Sequence, residues 1–435
     1  MRVDDMILIS VDDHVVEPPD LFDEHLPAKW RDVAPRIERT SAGRDAWVYE
    51  GARIYNIGMN AVAGKPRHRY GLEPTCYEDM RPGCYDVHAR VKDMNANGVL
   101  SSLCFPSFPQ FCGQLFARSN DKDAALALVR AYNDWHVEGW CGAYPDRFIP
   151  LAIPPLWDPE LMADEVRRLA RKGCHAVTFS ENPAKLGHPS WHSPHWDPFL
   201  RACDEEGTVV CLHIGSSSEM VLTAMDAPVP VQISLQGVNI MQAAADLVFS
   251  RVSREFPNIT VALSEGGIGW VPYYLERADY TYRRHGEWTG VSLGDRLPSE
   301  IFREHVLTCF ISDAVGLELR HHIGVENIAW ECDYPHSDST WPDSPEDLDR
   351  ELAGIPDDEV ALITHENAMR TFRFDPFTQR PRERATVEAL REEAVGWDVA
   401  VRDVGEPWIA PTEPLTQEQK LAAFARLRED AEAVG

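Results

Sequence analysis

Eight short runs of apolar and β-branched residues, bounded by loop signals and separated by helix-like stretches, constrain this chain more than any other feature. They fall at 7–12, 99–105, 148–153, 176–180, 209–213, 259–264, 306–311 and 328–333. Strand and helix in alternation mark a parallel sheet, because parallel neighbours need a crossover connection between them. Eight such units suit a closed (β/α)8 TIM barrel, an α/β fold whose chemistry sits at the carboxyl ends of its strands. Amphipathic stretches at 160–172, with Leu161, Val166 and Leu169 on one face, and at 237–256 supply helices. At 435 residues and 44% hydrophobic content, the chain has the material for one elaborated barrel.

Two segments stand outside the repeat. The long insertion at 17–86, after the first strand, carries Trp30, Trp47, Tyr49, Tyr55 and Tyr70 and is too long for an ordinary connection, so it reads as a lid or substrate-shaping segment. The division expected is therefore a barrel over 1–375 and a C-terminal extension over 376–435. The extension holds a terminal helix at 417–433, for packing or for contact with a second copy in a homo-oligomer.

Charge narrows the partners. A formal net charge of −28 repels nucleic-acid backbones and anionic membrane surfaces, which leaves a small-molecule substrate. No apolar run approaches the ~18 residues of a membrane span, and acids occupy the start of the chain where a secretion signal carries base. A cytoplasmic protein is expected. Ten cysteines without a CxxC pair, several inside apolar runs, point to a reducing compartment and no structural zinc.

The chemistry is written at the strand ends, where an unpaired acid or imidazole is costly unless it binds something. The first strand ends in Asp12-Asp13-His14, and alternation along an extended chain puts Asp12 and His14 on one side. The fifth ends in His213, the sixth in Glu265 and the eighth in Asp333. Independent turn caps have no reason to recur at four strand ends, and this mixture of carboxylate and imidazole suits a divalent ion.

The segments SVDDHVVEPPDLF, LHIG, LSEGGIGWVP and CDYPHSDSTWP resemble the amidohydrolase family related to aminocarboxymuconate-semialdehyde decarboxylase, over 7–374. The resemblance implies that Asp12, His14, His213 and Asp333 are metal ligands. It also exposes a departure: where these decarboxylases and many hydrolases carry an acid/base histidine after strand six, this chain carries Glu265. With Glu17 or Glu265 as a further ligand, the set resembles that of the non-heme diiron monooxygenases built on an amidohydrolase barrel, of the kind found in platensimycin and platencin biosynthesis. That likeness implies two irons per chain, O₂, an external electron donor, and hydroxylation of a bulky apolar acyl group carried as a coenzyme A thioester. The alternative is a hydrolase or non-oxidative decarboxylase with one zinc or manganese, Glu265 serving as base.

Four further positions have two readings each. Glu17 ligates metal or caps a helix starting near Asp20, and His336 is a second-metal ligand or a solvated turn residue. His195, in WHSPHW after strand four, reaches the barrel mouth as a catalytic group or packs. Lys65, Arg67 and Arg69 form a surface loop or clamp the phosphates of coenzyme A.

Overall fold

The computed structural model describes residues 1–71, 73–224 and 226–405. Each of the eight apolar runs overlaps a strand: β1 (Ile9–Val15), then, after the insertion's β2 (Arg36–Arg39), β3 (Asp45–Tyr49) and β4 (Ala52–Ile54), β5 (Ser101–Pro106), β6 (Phe148–Ile149), β7 (Ala176–Ser180), β8 (Val209–His213), β9 (Val261–Ser264), β10 (Val306–Phe310) and β11 (Ile328–Trp330). The barrel strands pair in parallel as β1-β5-β6 and β7-β8-β9-β10-β11. A bridge between Ala152 and Val177 joins the two groups. The ring closes through the Asp333 N–H donating to the Asp12 carbonyl (2.9 Å) and the His14 N–H donating to the Tyr334 carbonyl (2.7 Å). The chain is thus a (β/α)8 barrel, as the strand count requires.

β6 is shorter than the apolar run that contains it. Pro150 has no N–H to give the ladder, so pairing with β5 stops at Ile149, and Ala152 makes only a single bridge to Val177 of β7.

Alternation along the strands divides the core. Ile9, Val11, Phe105, Val209, Cys211 and Leu307 turn into the barrel, while Val210, Leu212, Leu263 and Phe310 pack against the helices outside. The helix Pro159–Ala170 starts where Asp158 accepts hydrogen bonds from the Glu160 and Leu161 N–H groups, with proline in its first turn.

Within the insertion, β2, β3 and β4 form an antiparallel sheet, and Trp47 of β3 stacks on Phe108 at the barrel mouth (4.2 Å). At the opposite end, Ala385 and Leu390 join the buried cluster containing Ile7 and Ile9, and the Val387 N–H donates to the Met6 carbonyl (2.9 Å). The expected helix at 417–433 lies outside the described residues. No helix among the described residues is long and apolar enough to cross a membrane, and all ten cysteines are free, nine of them buried.

Candidate metal centre

β1 is buried along its whole length, and an irregularity in its pairing with β5 between Ser10 and Asp13 breaks the alternation, so Asp12 and His14 face inward although Ile9 and Val11 do too. Asp13 turns outward and accepts from the Ser10 and Ser102 hydroxyls and the Tyr334 N–H. Asp12 and His14 turn inward, where they meet His213 from the end of β8. His14 Nε2 lies 3.2 Å from His213 Nε2 and 3.5 Å from Asp12 Oδ1; His213 Nε2 lies 3.4 Å from Asp12 Oδ2. Bonds of about 2.1 Å to one ion give ligand–ligand edges of about 3.0 to 3.4 Å, close to these separations. Asp333 Oδ1 flanks the group 3.4 Å from His14 Nε2, and Glu265 Oε2 flanks it 3.2 Å from His213 Nε2.

The local backbone aims these side chains. Glu265 and Asp333 both follow barrel strands with φ near +57° (56° and 58°), a left-handed conformation that non-glycine residues hold only where their surroundings enforce it. For Glu265 the enforcement is visible. The following Gly266 backs so closely onto the helix Gly237–Phe249 that a Cβ would lie 2.6 Å from Ile240 Cγ2. Asp313 then accepts the Ile268 and Gly269 N–H groups (2.7 and 2.6 Å). The run Glu-Gly-Gly-Ile-Gly is therefore a tight turn that presents one carboxylate.

A divalent ion fits this donor set. Both oxygens of Asp12 and of Asp333 are buried without a hydrogen bond, an arrangement whose desolvation cost a bound cation offsets. His213 Nδ1 donates to the Ile214 carbonyl (2.6 Å), which leaves the Nε2 lone pair facing the group. Burial pushes His213 down to about 3 and His14 well below the usual imidazole value, so both rings are neutral, as ligands must be. Burial, followed by the neighbouring carboxylates, pushes Asp12, Glu265 and Asp333 well above the usual carboxylate range.

Other expected site residues fall into three classes. His336 reaches the mouth: its ring stacks on His14 (3.7 Å) and its Nδ1 sits 2.9 Å from Asp333 Oδ1, forming a second group of His14, Asp333 and His336. Glu17 does not reach it and caps no helix. Its oxygens accept the Ser107 and Phe108 N–H groups (3.0 and 2.7 Å) and the Tyr132 hydroxyl (3.2 Å), tying the end of β1 to the end of β5. His195 is exposed in the turn Pro194–Trp196, its ring against Trp196 (4.7 Å), because the short turn carries it outside the mouth.

The basic loop does not form a three-cation clamp. Lys65 and Arg69 are buried, Arg69 pairs with Asp403, and only Arg67 is exposed. None of the three lines the cavity above the ligand group.

That cavity, of about 370 Å³, is roofed by the insertion and by loops after β8 and β11. Two neighbours of the ligands went unread in the sequence. Glu331 is buried beneath the group, accepts from Cys309 Sγ (2.6 Å) and is pushed up to about 7 by burial; its place two residues before Asp333 was the available signal. Phe111 stacks on His213 (4.2 Å), and nothing in its local sequence announces it.

A family model described as Amidohydrolase matches residues 22–374. No curated protein sequence matches the chain. Among solved structures, it is similar to 5-carboxyvanillate decarboxylase from Sphingomonas paucimobilis, with 21% identity, a TM-score of 0.60, and coverage of 85% of this chain and 99% of that one. It is similar to an amidohydrolase from Mycobacterium avium subsp. paratuberculosis K-10, with 22% identity, a TM-score of 0.64, and coverage of 84% and 99%. A third is 5-carboxyvanillate decarboxylase from Novosphingobium aromaticivorans DSM 12444, complexed with manganese and 4-hydroxy-3-methoxy-5-nitrobenzoic acid, at 18% identity, a TM-score of 0.59, and coverage of 86% and 99%.

Proposed function

Because this chain belongs to the amidohydrolase family, whose model spans residues 22–374, we propose that it is a non-oxidative enzyme using one divalent ion to decarboxylate or hydrolyse a small molecule. The observation that carries this reading is the compact group of Asp12, His14 and His213, its donor atoms 3.2 to 3.5 Å apart, with Asp333 and Glu265 beside it. Two similar structures are decarboxylases, one of them complexed with manganese, which supports manganese here.

When bound, the ion supplies Lewis acidity to a substrate or water oxygen. The chain's own groups do the rest. Asp12, His14 and His213 would hold the ion; Phe111 covers the His213 ring and excludes water from that side. Glu265 is the proton carrier: it takes a proton from water in hydrolysis, or delivers one to the carbon that loses carbon dioxide in decarboxylation.

The expectation of two irons, with O₂, an external electron donor and an acyl coenzyme A substrate, is not carried forward. The second group shares His14 with the first, and His14 Nε2 is the atom facing both. An imidazole nitrogen has one lone pair, so a second ion would keep only Asp333 and His336 as residues of its own. The basic loop lends the coenzyme no clamp.

Metal analysis, oxygen uptake and a panel of aryl carboxylates, esters and amides test the proposal. About one ion per chain, no oxygen uptake, and a Glu265→Gln variant that keeps its ion while losing about a hundredfold or more in turnover are expected. Two irons per chain, with oxygen from labelled O₂ in the product, would overturn it.

A further inference from the structure

The cavity above the ligand group has two unlike walls. Phe111 and Met220 meet over Gly215, where a Cβ would sit 3.2 Å from the Phe111 ring and 3.6 Å from the Met220 sulfur, and form an apolar side. Facing the cavity from the insertion and the β11 loop are Asn60, Glu73 and Asp338. This polar side is built in: the Asn60 N–H donates to Glu73 Oε2 (2.6 Å), and Asn60 Nδ2 donates to Ser337 Oγ (3.2 Å). Asn60 holds φ at 68°, and its Oδ1 is buried with no partner, an acceptor left over at the cavity wall.

Among the described residues, no lysine or arginine lines this space. The carboxylates of Asp12 and Asp333 match the charge of one divalent ion, so Glu265, Glu73 and Asp338 stand as surplus acids, the carboxyls of Glu265 and Glu73 pushed up by burial and Asp338 exposed at the rim. Inside a cavity of low polarisability, such a surplus repels an anion and attracts a donor more strongly than the same charges would in bulk water.

We propose that the cavity selects a substrate whose end remote from the reacting group carries a hydrogen-bond donor or a positive charge, such as an amine or amide N–H, set against Asn60, Glu73 and Asp338. An apolar body lies along Phe111 and Met220, and an anionic remote end is rejected. This selection rests on the one-ion reading, since a second dication would cancel the surplus.

The test uses benzohydroxamate, whose head chelates divalent ions, with para-aminomethyl or para-carboxy substituents, titrated calorimetrically into manganese-loaded protein. The cationic probe is expected to bind about tenfold or more tighter than the anionic one. Asp338→Asn, at the exposed rim, and Glu73→Gln are each expected to narrow that ratio. Equal or tighter binding of the para-carboxy probe would overturn the proposal. The one-ion reading fails separately, if unsubstituted benzohydroxamate does not bind; benzylamine and benzoate, which need no ion, then still rank the charge preference, and tighter benzoate would sink it.

Discussion

Two backbone N–H groups and a phenol converge on the Glu17 carboxylate at a depth where no solvent reaches it. Burial raises it from the ordinary 4.5 to about 7 despite those donors. The folded state therefore holds a proton between these values that the unfolded state has lost. Its contribution to stability is complete below about pH 4.5 and declines as pH rises through about 7, by about 3 kcal/mol in all. Urea melts of the parent and Glu17→Gln across this range check the sign: the parent's advantage should shrink as pH rises, and a constant difference would contradict it. The same carboxylate was read as a ligand or a cap because sequence spacing from His14 cannot tell which way a chain leaving a strand turns.

β3 acts on the site without touching it. Trp47 is fully buried and stacks on Phe108, whose N–H is one of those held by Glu17, so the insertion's sheet clamps the end of β5 beneath the cavity. Trp47→Ala should cost about 3 to 5 kcal/mol through the cavity it leaves. The ligands come from barrel strands, so manganese stoichiometry in the folded variant should be unchanged; denaturant melts beside metal analysis measure both. Loss of the ion at full stability would place the sheet in the site itself.

Across the molecule, one end of the barrel carries the chemistry and the other needs a cover. Ala385 and Leu390 close the floor beneath Ile7 and Ile9, although they lie beyond the boundary at 375 drawn from sequence. Ending the chain after Asp375 should remove about 4 kcal/mol or more of apolar burial. A lower melting temperature with increased dye binding to exposed apolar surface would register it. An unchanged melt would mean that the barrel closes its own floor.

The alternation of apolar runs and amphipathic stretches determined the barrel, because strand and helix periods are local properties that burial amplifies. Strand ends were legible as positions: Asp12, His14, His213, Glu265 and Asp333 stand where the barrel's polarity puts its chemistry, while an irregularity in β1 and a left-handed turn at Glu265 aim three of them against a simple period of two. Loops obey no such period. That Glu17 turns to the backbone of β5, that His195 stays outside, that Arg69 finds Asp403, and that His336 instead stacks on His14 all depend on segments distant in the chain. Tertiary structure decided these, and with them the charge of the cavity, because a loop side chain's partner is set by what the rest of the fold brings within reach of it.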